Sequence, residues 1–131
     1  MPIRYELRDG IVLSTFTGFV SGDEMVEHIK LLLADTQIPS LLVEVVDLSH
    51  ASADATIGRD DARKVASHAK ALLTKHTAVH TIIVAPADLI YGLARLFEAY
   101  HNLEAPRLHW HIVHSQEEVQ TIIESILSAN H

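Results

Sequence analysis

Apolar and polar residues alternate along positions 3–7 and again along 11–16, the period-two pattern of half-buried β-strands. Between them Arg8-Asp9-Gly10 supplies an Asp-Gly pair, which tolerates the positive φ angles of a tight turn, so a β-hairpin is predicted to open the chain. The period then changes. Ser21 and Glu24 are spaced as a capping box, and Met25, Val26, Ile29, Leu32 and Leu33 follow at 3.6-residue spacing, predicting a helix that ends before Pro39. Residues 41–46, Leu-Leu-Val-Glu-Val-Val, are a short, nearly continuous apolar run of the kind buried on both faces of a parallel sheet.

After that strand the chain breaks into the small polar run "DLSHASADAT" and resumes a helical stripe at Ala62, Val65, Ala66, Ala69, Leu72 and Leu73. Val79 to Ala85 reads as another buried strand, stopped by Pro86. A third stripe runs through Leu89, Leu93, Leu96, Phe97 and Tyr100, with Asp88 placed where the helix dipole favours an anion. "LHWHIV" is a further strand. Ser115 and Glu118 form a second capping box, opening a last helix on Val119, Ile122, Ile123, Ile126 and Leu127. The predicted order is ββαβαβαβα. It implies an α/β domain spanning 1–131, whose mostly parallel sheet of about five strands carries a hairpin at one side and about four helices.

Composition narrows the function. The 131 residues suit one domain. No apolar run approaches the roughly 18 residues of a membrane span, and the N-terminus lacks the layout of a signal peptide, so a cytoplasmic protein is expected. Without cysteine there is neither a disulfide framework nor a thiolate metal site. A formal charge of −7, with ten scattered Lys and Arg, makes nucleic acid a poor partner. Phosphate-binding, dinucleotide and nucleophile-elbow motifs are all missing, and no cofactor is expected. Asp47, Ser49 and His50 resemble a catalytic triad only on paper, because adjacent loop residues rarely face one another.

Two stretches are candidate contact surfaces. The first is the run from Asp47 through Ser49, Asp54 and Thr56, predicted to be a loop from strand to helix N-terminus, where functional surfaces of open α/β sheets gather. Asp or Thr there can cap the helix, so the run is either a cap alone or a surface that a partner approaches closely. The second surrounds Pro86, Tyr91, Gly92 and Arg95. Ile90, Tyr91 and Ala94 widen the third helix's apolar stripe, which suits core, an apolar pocket shared with the second helix, or contact with a second copy. A mid-helix glycine costs about 1 kcal/mol against alanine, so Gly92 suggests close approach by another backbone or a ligand.

Histidine is the other conspicuous type. His109 and His111 share one face of a strand, with His114 beyond and His80 in the preceding strand. An H-x-H pair can hold zinc if a third ligand such as His80 or His101 joins it; alternation alone equally predicts a solvated histidine face opposite Leu108, Trp110 and Ile112.

The order of elements, with "VDLSHASADATIG" after the third strand and "VAPADLIYGLARLFEAY" after the fourth, resembles the SpoIIAA-like branch of the STAS superfamily. In the related anti-sigma factor antagonists the first loop carries Asp-Leu-Ser and then Asp-Ser-Ser-Gly, with one phosphorylated serine that releases a partner. Asp47, Leu48 and Ser49 match the first part; Asp54-Ala55-Thr56-Ile57-Gly58 departs from the second, leaving Thr56 as the hydroxyl near the expected place. A phosphate there would meet Asp54, Asp60 and Asp61, with only Arg59 and Arg63 to offset them. For the SpoIIAA-like branch the resemblance implies a STAS-type fold, frequent self-association, no established enzyme activity and a suggestion of apolar-ligand binding. The expectation is therefore a non-enzymatic STAS-like binding domain, acting first through protein association as a homodimer and second through an apolar small ligand.

Overall fold

The computed structural model describes residues 2–53 and 56–129. Strand β1 (Ile3–Arg8) turns into β2 (Ile11–Phe19) through Asp9 and Gly10, with φ of 53° and 78°. Both central positions are left-handed, which is why Asp-Gly stands there. Helix α1 (Gly22–Ala34) starts at the predicted capping box: Ser21 Oγ accepts from Glu24 N at 3.1 Å, and Ser21 N donates to Glu24 Oε1 at 2.9 Å. There follow β3 (Leu41–Ser52), α2 (Arg59–Ala69) continued by a 3-10 turn over Lys70–Thr74, β4 (Ala78–Val84), α3 (Asp88–Glu104) and β5 (Leu108–Val113). The second capping box opens a 3-10 turn over Gln116–Glu118 that leads into α4 (Val119–Ala129).

The five strands lie in chain order, β1-β2-β3-β4-β5, with β1 antiparallel to β2 and the others parallel. Right-handed crossovers that always step in one direction put their helices on one face. Accordingly α1, α2 and α3 pack side by side against Val12, Leu42, Val79 and Leu108. The opposite face receives α4 alone, through Val119 and Ile126 against Val43, Val45, Ile82, Val84 and Val113, and Ile11, Leu13 and Leu41 stay only partly covered. Complete burial of side chains such as Leu42, Ile82 and Leu108 stabilises the fold by roughly 1.5–3 kcal/mol apiece.

Three expectations need correction. The run "DLSHAS" is strand rather than loop, because β3 continues to Ser52, paired with the end of β2 up to Phe19↔Ser52. The register shift between Thr15 and Thr17 gives β3 one extra residue near Leu48 and Ser49, a bulge that absorbs the small polar side chains. Helix α2 is capped by neither of the expected types at its N-cap: Gly58 stands there, and Asp61 Oδ2 accepts from Gly58 N at 3.2 Å. Leu89 leaves the core. It lies in the first turn of α3 at 67% exposure, and the inward stripe is Ile90, Ala94, Phe97 and His101.

Candidate functional site

The layer between the sheet and helices α1–α3 is not filled completely. A cavity of about 130 Å³ lies there, walled by Ile29, Val46, Ile83, Ala94, Phe97 and Trp110, with Ala53 and Ile57 from the β3–α2 connection at one end. This is close to the about 150 Å³ that admits benzene in an engineered apolar core.

Into this apolar wall the sheet introduces a polar strip. The parallel registers set Glu44 of β3 beside Thr81 of β4, in a row that runs on to Trp110 of β5. Helix α1 presents His28 and α3 presents His101 from the facing layer. Four of these groups are almost inaccessible to solvent: Glu44 is 7% exposed, His28 6%, His101 3%, and Ser14, which backs the strip from β2, 2%. Glu44 Oε2 accepts from Ser14 Oγ at 2.6 Å and from His28 Nε2 at 2.6 Å; Ser14 Oγ lies 3.3 Å from His28 Nε2. Tyr5 and Phe16 hold the His28 ring edge-on, with centroids 5.6 and 6.2 Å away.

Serine, histidine and glutamate together suggest a relay, but the atoms do not make one. Glu44 and Ser14 crowd the same imidazole nitrogen, whereas a relay needs acid and nucleophile on opposite nitrogens. Ser14 donates its proton directly to the carboxylate. The cluster therefore fixes the carboxylate and leaves Glu44 Oε1 without a partner among the described residues. Nor is Oε1 sealed away, since the unpartnered and sealed side-chain atom among those residues is His76 Nε2. Glu44 is one of the few polar residues that line the cavity.

His101 is arranged similarly. Its Nδ1–H donates to the carbonyl of Phe97 at 2.8 Å, so Nε2 carries a lone pair, again with no partner among the described residues. Burial pushes the imidazole down to about 4, against the opposing pull of the Phe97 carbonyl and the Glu44 charge. The ring, neutral at pH 7, rests on Trp110 with centroids 4.5 Å apart. The result is an apolar chamber lined by two residues that each keep an acceptor without a partner among the described residues, the composition typical of a small-molecule site.

The residues singled out from sequence lie elsewhere. Asp47 and Ser49 are bound to each other at the bulge, Asp47 Oδ1 accepting from Ser49 N at 2.9 Å and from Ser49 Oγ at 2.6 Å. That geometry disposes of the paper triad, as His50 bonds to neither among the described residues. Thr56 is exposed in the connection before Gly58, and Asp54 lies outside the described residues. Pro86 is exposed between β4 and α3. Tyr91 stacks on His114 with centroids 4.3 Å apart, and Arg95 pairs with Glu98 at 3.3 Å. Gly92 is exposed, and a Cβ there would meet nothing within 4 Å, so no neighbouring backbone among the described residues requires a glycine. The cavity uses Ile90, Leu93, Ala94 and Phe97 of α3 instead.

Sequence reasoning missed Ser14, His28, Glu44 and Thr81, and weighed His101 only as a zinc ligand, not as part of this chamber. A signal existed for three of them: Glu44 interrupts an apolar strand, and His28 and His101 stand on the inward stripes of their helices, positions where polar side chains are rare unless paired.

His80, His109 and His111 gather on the α4 face. His80 stacks between neighbours, with ring centroids 4.5 Å from His109 and 5.4 Å from His111, and its Nδ1 lies 3.1 Å from His111 Nε2. All three are half-buried, which corrects the picture of a solvated face. Burial, then the two neighbouring imidazoles, push His80 down to about 4. The rings are nearly parallel, and no group of three side chains that could hold a metal ion occurs among the described residues. His101, the other candidate third ligand, belongs to the opposite layer. Replacing His109 and His111 together by Gln is expected to cost about 1 kcal/mol, the worth of the lost ring contacts, in urea unfolding at pH 7.5. A loss of several kcal/mol would make the stack a core element.

No family model matches this chain, and no curated protein matches it. No helix among the described residues is long and apolar enough to cross a membrane.

Proposed function

We propose that this protein is a non-enzymatic binding domain that takes up a small apolar molecule between its sheet and the α1–α3 layer. The carrying observation is the chamber of about 130 Å³ in which Glu44 Oε1 and His101 Nε2 have no partner among the described residues. Acceptors on the wall of an apolar chamber are groups to which a ligand head can bond in place of water. The STAS-type, SpoIIAA-like resemblance supplies the frame for this reading, including its suggestion of apolar ligands.

The test fills the chamber. Ala94 lies on its α3 wall, 5% exposed, and Ala94→Phe would occupy the space a ligand needs. Toluene at about a hundredfold excess over its dissociation constant should stabilise the wild type by about 2.7 kcal/mol, read as a rise in Tm, and leave the variant unmoved. Equal shifts in both proteins would place the toluene outside the chamber. Native mass spectrometry of freshly purified protein adds the identity of any retained molecule.

Self-association is the second reading, and one observation favours it. Pro86, Leu89 and Gly92 are exposed together around the start of α3, which leaves a leucine and an open glycine surface to a second copy. The same native spectra distinguish monomer from homodimer.

A further inference from the structure

The polar end of the chamber restricts the chemistry of what can fill it. Resting on the proposed binding function, we infer that the ligand is a single-ring-sized apolar molecule whose head donates a hydrogen bond, a hydroxyl or N–H, and that it is not a carboxylate.

Glu44 and His101 line the chamber, and the side-chain atoms they leave without a partner among the described residues are acceptors. Glu44 Oε2 is already occupied by Ser14 and His28, which anchor the carboxylate and leave Oε1 to accept from an incoming group. His101 has its only ring proton committed to the Phe97 carbonyl, so Nε2 can only accept. Thr81, beside Glu44 in the register, has a hydroxyl that can complete the head's bonding in either sense. A hydroxyl head can donate to one acceptor while receiving from Thr81, and an amino head can donate to both.

A carboxylate head fails on two counts. It brings no proton for Glu44 Oε1 or His101 Nε2, and its charge stands against that of Glu44. The chamber wall holds no lysine or arginine among the described residues, and His28 is already bonded to Glu44. An acceptor-only head such as a ketone has the same shortage of protons without the charge. Sites built to hydrogen-bond a hydroxyl discriminate strongly against analogues lacking it, because the buried partner is left unpaired.

Four probes of one ring separate these properties: 1-phenylethanol, acetophenone, benzoate and toluene, titrated into the wild-type protein and followed by amide chemical shifts. The alcohol and the ketone have nearly the same size and shape and differ in the donor. We expect 1-phenylethanol to bind at least about tenfold more tightly than acetophenone and benzoate, consistent with the cost of leaving a buried acceptor unpaired. Ala94→Phe should abolish binding of the alcohol, and Glu44→Gln, which places an amide donor in the wall, should erase its advantage over the ketone. The wild-type comparison stands even if Glu44→Gln does not fold. Acetophenone or benzoate binding as well as the alcohol, with toluene also taken up, would overturn the donor-head inference and leave the chamber as a purely apolar site. If no probe binds, or Ala94→Phe changes nothing, the chamber is not a ligand site and both readings fall.

Discussion

Replacing Glu44 alone by Leu is expected to cost about 3 kcal/mol or more of folding stability, although Leu suits the surrounding apolar strand better than Glu does. The side chain is the shared acceptor of Ser14 Oγ and His28 Nε2, each at 2.6 Å, and all three groups are buried. Its removal leaves Ser14 Oγ and His28 Nε2, 3.3 Å apart, with only one another in a buried layer, so at least the Ser14 hydroxyl proton loses its acceptor, a desolvation penalty of about 1–3 kcal/mol that adds to the loss of the two short bonds. The triple replacement Ser14→Ala, His28→Leu and Glu44→Leu removes the donors together with the acceptor and should recover most of the loss, since wholly apolar substitutes for a buried polar cluster are often neutral or stabilising. Urea unfolding measures both variants, with an unchanged m-value showing that the same transition is followed. A single variant within about 1 kcal/mol of wild type would mean that the cluster is hydrated rather than dry. A triple variant as unstable as the single would shift the cause to packing. If the expected pattern holds, the polar cluster is kept at the expense of stability, which fits a site better than a scaffold.

The second large effect is acid sensitivity between pH 6.5 and 4. Burial lowers the folded-state values of both His101 and His80 to about 4, against about 6.5 in the unfolded chain. Above pH 6.5 both states hold these rings neutral and the groups contribute nothing to pH dependence. As pH falls from 6.5 towards 4, the unfolded chain takes up protons that the folded chain refuses, so stability drops. For buried His101 the loss approaches about 3 kcal/mol at pH 4, because each pH unit between the unfolded and folded pKa values is worth about 1.4 kcal/mol. His80 is half-buried and adds less, about 1–2 kcal/mol after solvent screening. Asp23 and Asp35, both held below the usual carboxylate value, lose their contribution only as pH falls further. Urea midpoints measured from pH 7.5 to 4.5 should therefore decline well before carboxylates protonate, and His101→Phe should flatten much of that decline. A stability that stays level across this window would show that the rings accept protons in the folded state and are wetter than their burial implies.

The element order was legible in the sequence because local physics wrote it there. Asp9-Gly10 selects a turn, Ser21 with Glu24 and Ser115 with Glu118 select helix starts, and the switch between periods of 2 and 3.6 separates strands from helices. These signals act within a few residues, so no partner from elsewhere is needed to read them. The extent of β3 is a different matter: Ser49 to Ser52 are poor strand formers, and they extend because β2 offers Thr17, Gly18 and Phe19 to pair with. Leu89 likewise reads as core by composition, yet α3 turns Ile90, Ala94, Phe97 and His101 inward and leaves Leu89 in solvent.

The site was decided almost wholly by tertiary structure. Ser14, His28, Glu44, Thr81 and His101 come from five separate elements, and only the registers β2-β3-β4 and the stacking of α1–α3 on one face bring the last four to one chamber, with Ser14 bonded to Glu44 behind it. The sequence could mark Glu44, His28 and His101 as polar residues at apolar positions, because burial patterns are periodic. It could not say that the first two satisfy one another, because that depends on a distance of 2.6 Å between residues 16 positions apart, nor that the third, bonded one helical turn back to Phe97, keeps an acceptor without a partner among the described residues. The same holds on the other face, where β-pairing of His80 with His109 turned scattered histidines into a stack. Periodicity fixes which side of an element is buried; which buried atoms meet is set by how the elements pack.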